Sequence, residues 1–192
     1  MSAKIISAFP GCGKSTYYKM WSKYSLENVW CSKNKDDPLY SKFNQNIPMG
    51  EKILDSDSSL FSWIYDENGN KTNVRNPDFP NNYIQHIKDH LETEDIIFIS
   101  SHKSVRDALR ENNIPYTLVF PDKSMKQEFL DRFHKRGNTE EFIKFQNEHW
   151  DEFIDDMNNE TFPTKVVLKP YAHIDYITNT IMNYIMEYDD QL

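Results

Sequence analysis

Two glycines one residue apart, followed at once by a lysine, a serine and a threonine, form the stretch Pro10-Gly11-Cys12-Gly13-Lys14-Ser15-Thr16. The chemistry of that combination is anion binding. Backbone N–H groups of such a turn, with the free N–H groups and positive dipole end of a following helix, converge on a phosphate. Gly11 and Gly13 supply dihedrals and a close backbone approach that a Cβ would block. Lys14 would reach the β- and γ-phosphates of ATP, and the Ser15 hydroxyl would hold Mg²⁺. The spacing follows G-x-x-x-x-G-K-[ST], with Ala8 in place of the first glycine.

Phosphoryl transfer asks a protein mainly for position and charge neutralisation, and three further groups offer both. Asp55 and Asp57, one residue apart, would point the same way on a strand. One would hold Mg²⁺ through water and the other accept a hydrogen bond from an acceptor; the plainer alternative is that Asp-Ser-Asp-Ser-Ser caps the next helix. Arg132 and Arg136, four apart on one helix face and just before Gly137-Asn138, would close over phosphates as a lid, or else form a solvated face. Arg75 is a weaker candidate for an anionic acceptor group. His102 and Lys103 follow an apolar run; a histidine there serves as a general base or caps a helix. The six histidines are scattered and the two cysteines lack ligand spacing, so a metal cluster is not indicated.

These residues need a frame that brings them together, and the apolar patterning supplies one. Residues 3–9, 52–59, 95–100, 116–120 and 165–169 read as strands, the third as a continuous apolar run of the buried parallel type. Helical spacing covers 14–24, then Leu60, Phe61, Ile64 and Tyr65 up to the turn at Asn68-Gly69-Asn70, then 80–91 and 103–112. Asp122, Ser124 and Gln127 give a capping-box start to a helix reaching Arg136. A longer amphipathic helix over 139–157 would bury Phe142, Phe145, Trp150, Phe153 and Ile154, and Ile174 to Tyr188 mark a closing helix. The stretch 25–50 reads as mostly irregular, with a short strand at 29–31.

Strands alternating with helices imply a parallel sheet with helices on both faces and ligands beyond the carboxyl ends of the strands. All the groups above except Arg75 and the helix arginines lie at such ends, so they should share one crevice.

At 192 residues the chain fits a single domain, 1–192. No apolar run approaches ~18 residues, and the first is cut by Pro10, so an intracellular, cytoplasmic protein without membrane partners is expected. A net charge of −8 argues against general nucleic-acid binding, which needs an excess of Lys and Arg. Aromatic residues make up 14% of the chain and are read as filling a core short of Leu and Val, with some rings walling a pocket for a flat ligand.

With these residues placed, the chain resembles the small P-loop kinases of the nucleoside monophosphate kinase and shikimate kinase group, at motif level over 8–16, 55–57 and 132–136. The resemblance implies a three-layer fold with a five-stranded parallel sheet of order 2-3-1-4-5. It also implies an acceptor-binding segment at about 56–92 and a basic lid at about 123–140. Lys14 and Ser15 match the family's phosphate and metal residues, Asp-Ser-Asp looks like the shikimate kinase pattern, and Arg132 and Arg136 look like lid arginines. Ser100-Ser101-His102-Lys103 has neither the glycine run of shikimate kinases nor the Asp-Gly-Phe-Pro-Arg of adenylate kinases, so neither acceptor follows from motif. Long Asn/Asp-rich segments with few Ala and Gly look like a small phage protein, which points to nucleotide metabolism. The expected activity is ATP- and Mg²⁺-dependent transfer to a nucleoside or deoxynucleoside monophosphate. The alternatives are another small hydroxyl compound, a polynucleotide 5′ end, or a nucleotide-binding switch without transfer.

Overall fold

The computed structural model describes residues 2–26 and 52–170. The short strand expected at 29–31, most of the 25–50 stretch, Cys31 and the closing helix lie outside the described residues.

Five parallel strands form the main sheet: β1 (Lys4–Ala8), β2 (Ile53–Asp55), β5 (Ile96–Ser100), β6 (Thr117–Pro121) and β7 (Thr164–Leu168). β1, β5 and β6 are the central strands, covered on both faces, and their side chains are mostly apolar; the buried hydroxyl of Ser7 in β1 donates to the Ser100 carbonyl. β7 is more exposed and sits at an edge. Register is fixed at the functional end: Ala8 lies level with Ser100 on one side and Val119 on the other. Asp55 pairs with Phe98, so the chain leaves β2 near the same level.

Between β2 and β5 the chain departs from the expected pattern. Helical spacing was expected through Tyr65, but the helix is confined to Ser59–Ser62 (α2). Trp63, at φ −130° and ψ 151°, turns extended, and Trp63–Tyr65 (β3) pairs antiparallel with Lys71–Arg75 (β4). Bulky aromatic and β-branched side chains favour this pleated surface over a helix. Asp66 builds the turn, its carboxylate accepting from the backbone N–H groups of Asn68 and Asn70. Strand order by chain number is therefore β2-β5-β1-β6-β7, not 2-3-1-4-5, because this hairpin takes two numbers between the second and third strands of the main sheet.

The helices are α1 (Lys14–Leu26), α3 (Asn81–His90), α4 (Lys103–Glu111), α5 (Lys126–Lys135), α6 (Glu140–Glu148) and α7 (Trp150–Asn159). Tyr17 docks α1 on β5 through an edge contact with Phe98. Asp122 caps a single 3-10 turn, Lys123–Met125, from which α5 then starts, in place of the capping-box helix start. The long helix expected over 139–157 breaks at His149 into α6 and α7. The break lets Trp150 turn inward, its indole N–H donating to the Lys123 carbonyl and its ring meeting Phe9 and Phe129. Phe145, expected in the core, is instead 48% exposed. Among the described residues no helix is long and apolar enough to cross a membrane.

Candidate phosphate-binding site

The loop from Phe9 to Gly13 joins β1 to α1, and its shape is set by its glycines. Gly11 and Gly13 have φ of +84° and +94°, the left-handed region that side chains resist. A Cβ on Gly11 would also lie 3.1 Å from Phe133 and 3.2 Å from Phe129, two buried rings of α5. Position 11 therefore needs glycine twice over, once for the dihedral and once for the rings packed against it. Cys12 is wholly buried beneath the loop, and burial pushes its thiol up to about 12, so it packs as a small apolar residue.

Lys14 opens α1, and its ammonium donates to the Ala8 carbonyl. Burial lowers its pKa below the ordinary lysine value; Asp55 and Asp57 oppose that shift and Arg136 adds to it. An anion in the loop would add a direct counterion to this desolvated cation. Ser15 and Thr16 are exposed on the first turn, and Pro10 flanks the loop half-buried.

The two aspartates lie at the end of β2 on the Lys14 side. Asp57 Oδ1 accepts from the Ser59 N–H at 2.8 Å, so the capping alternative is realised for that oxygen. Tyr83, buried on α3, donates its hydroxyl to the Ser56 carbonyl between the two aspartates. Its phenol is pushed up to about 12, chiefly by burial, so it stays a neutral donor that fixes this strand end. Sequence patterning marked Tyr83 only as a core-facing residue.

Arg132 is half-buried, stacked 4.5 Å over Phe129, ion-paired with Glu128, and donates to the Gly11 carbonyl at 3.3 Å. It is seated on the loop already, held there by the rings of its own helix. Arg136, at the carboxyl end of α5, is exposed and has no ion pair among the described residues. Arg75 lies on the hairpin with its guanidinium 3.9 Å over Trp63. Its charge, with those of Lys14 and Arg106, adds to a burial effect that holds His102 below the usual histidine range. His102 stands at the N-cap position of α4, yet its side chain makes no capping bond, contrary to the capping expectation.

Two further cations near this end of the sheet are engaged. Lys103 is paired with Asp107 at 2.9 Å. Arg106, 2% exposed, donates its Nε–H to the Ser101 carbonyl and its guanidinium binds Asp156 of α7 and Glu160 just beyond its end. It ties α4 to α7 across the end of the sheet.

That tie floors a cavity of about 390 Å³, which opens between the loop, the end of β5 and the α6–α7 corner. Lys14 and His102 line one side, and Phe145, Gln146, Phe153 and Met157 the other.

Magnesium fits the donor set. It takes oxygen ligands and typically only one or two carboxylates besides phosphate and water, and Ser15 and Asp55 are oxygen donors beside the cradle. Among the described residues no three His, Cys, Asp or Glu side chains converge on one point, so the ion would depend on the nucleotide phosphates for the rest of its shell.

No family model matches the chain, and a search of curated proteins finds no significant match.

Proposed function

We propose that this chain is a magnesium- and ATP-dependent phosphotransferase whose acceptor is a nucleoside or deoxynucleoside monophosphate. The observation that carries the reading is the β1–α1 loop itself: two positive-φ glycines, a desolvated lysine at the base, and Arg132 seated on the loop. Such a cradle binds the phosphate chain of a nucleotide through backbone N–H groups.

In the proposed reaction an acceptor oxygen attacks the γ-phosphorus as the bond to the β–γ bridging oxygen breaks, and ADP leaves. Ser15 and Asp55 would hold Mg²⁺, which would supply charge neutralisation at the transferring phosphoryl group. Lys14 stabilises the phosphates from below, and Arg132 and Arg136 supply positive charge on the α5 side. Asp57, with Oδ1 held by Ser59, orients the acceptor through its other oxygen, and Arg75 meets an anionic acceptor group from the hairpin.

A second reading has its own support. Lys103 and Arg106 on the cavity wall are already paired, which suits an uncharged hydroxyl acceptor; a polynucleotide 5′ end offers the same hydroxyl but brings phosphates of its own. A nucleotide-binding switch would use the same cradle without transfer. Coupled ADP release across monophosphates, free hydroxyl compounds and a 5′-hydroxyl oligonucleotide separates the readings. Release that depends on a monophosphate supports the proposal. Release only with the other acceptors supports the second reading, release without any acceptor an ATPase, and none a switch.

A further inference from the structure

Gln146 is 6% exposed and its Oε1 has no hydrogen-bond partner among the described residues, although it lines the cavity beside the phosphate loop. Buried polar atoms are nearly always paired, and an orphan costs the desolvation of the group. Next to it Phe145 is 48% exposed, an unusual place for a large ring on a helix that otherwise buries its apolar face. Phe145 and Phe153 stand 5.6 Å apart between ring centroids and face the same cavity. An unanswered amide beside an uncovered aromatic wall describes a subsite for a flat heteroaromatic ring.

We propose that this cavity holds the nucleobase of the acceptor, stacked against Phe145 and Phe153, with the Gln146 carboxamide pairing with the base edge. The inference rests on the phosphotransferase reading and adds where the acceptor lies. A carboxamide offers an acceptor and a donor side by side, the complement of the amide and amidine edges of nucleobases. The wall cations Lys103 and Arg106 are neutralised by Asp107, Asp156 and Glu160, so the deep end suits an uncharged ring. The Lys14 end of the same cavity suits the phosphate. Its volume, about 390 Å³, lies in the range of small-ligand pockets, roughly 300–1,000 Å³. On this account the base is read by α6 and α7, not by the 56–92 segment that the family resemblance implies.

The test uses the full chain. Binding of a non-hydrolysable ATP analogue is measured first by calorimetry. The four common nucleoside monophosphates and ribose 5-phosphate are then titrated into the analogue-saturated protein. The wild type should bind at least one monophosphate well above ribose 5-phosphate. Phe145→Ala, at a half-exposed site that should not threaten folding, should weaken that binding by roughly 5- to 100-fold, the range of base–aromatic stacking. It should leave ribose 5-phosphate and the analogue unchanged. Gln146→Leu, checked for native circular dichroism, should flatten the ranking among the bases. If the analogue binds but monophosphates bind no better than ribose 5-phosphate, or bind equally to both variants, the base subsite is wrong while the phosphate loop stands. Loss of analogue affinity in Phe145→Ala would place the donor's base in the cavity and overturn the inference. Failure of the wild type to bind the analogue overturns the phosphotransferase reading, and this inference with it.

Discussion

Arg132 donates to the carbonyl oxygen of Gly11 at 3.3 Å, across 121 residues of sequence, and so couples helix α5 to the phosphate loop. The rings of Phe133 and Phe129 would stand 3.1 and 3.2 Å from a Gly11 Cβ, so the loop packs closely on the same helix. Gly11→Ala should therefore cost stability twice, through the positive φ and through displaced rings, by about 1–3 kcal/mol. Nucleotide affinity should fall with it. Denaturant unfolding and calorimetry on the same variant check both; a variant with unchanged midpoint and affinity would show that the loop relaxes freely.

The two α5 arginines should separate. Arg132→Ala removes packing on Phe129 as well as charge, so both stability and turnover should fall. Arg136→Ala should leave unfolding unchanged and lower turnover, by about 10²-fold if its guanidinium meets charge developing in the transition state. Steady-state kinetics beside thermal melts decide this, and wild-type rates in Arg136→Ala would mark it as a solvated charge.

Asp57→Asn should cut turnover strongly while ATP affinity stays close to wild type, because its placement suits orienting the acceptor. Its capping bond to Ser59 survives in the amide, so the melting temperature should hold. Asp55→Asn should instead raise the Mg²⁺ concentration needed for half-maximal rate. Identical Mg²⁺ dependence in both variants would remove the division of labour.

His102 should titrate below the ordinary histidine value of about 6.5, since burial and the charges of Arg75, Lys14 and Arg106 favour the neutral ring. With the folded value lowered, the unfolded chain binds the proton more readily. The contribution of His102 to stability is then full above its unfolded value and is lost as pH falls through the folded one. Filling the loop with phosphate should raise the folded value by adding negative charge nearby. NMR titration of the ring with and without inorganic phosphate reads both effects; no change on adding phosphate would place the anion elsewhere.

Much of the frame was legible because its signals are local. The continuous apolar run of β5 reads as a buried parallel strand, and the Gly-Lys-Ser-Thr turn marks the loop between β1 and α1. The hairpin was not legible, because Ile64 and Tyr65 fit helical spacing while Trp63 commits the backbone to pairing with Arg75, twelve residues on. The break at His149 was hidden for a similar reason. Trp150 fits the helical pattern of its neighbours, but its indole needs the Lys123 carbonyl on another element. The pairing of Arg106 was not legible, because its partners, Asp156 and Glu160, are 50 and 54 residues away. Phe145 matched a buried face by periodicity, and Gln146 carried no signal; that they border a cavity depends on how α6 and α7 meet the sheet.

The measurement that bears most directly on the central claim is calorimetry of Mg²⁺-ATP binding to the wild type and to Lys14→Ala. Lys14 lies at the base of the loop, desolvated by burial, and its removal leaves the cradle without its cation. The account predicts saturable binding at one site in the wild type and none detectable in Lys14→Ala, with the variant's circular dichroism and melting curve still native. Equal affinity in the two proteins would contradict it.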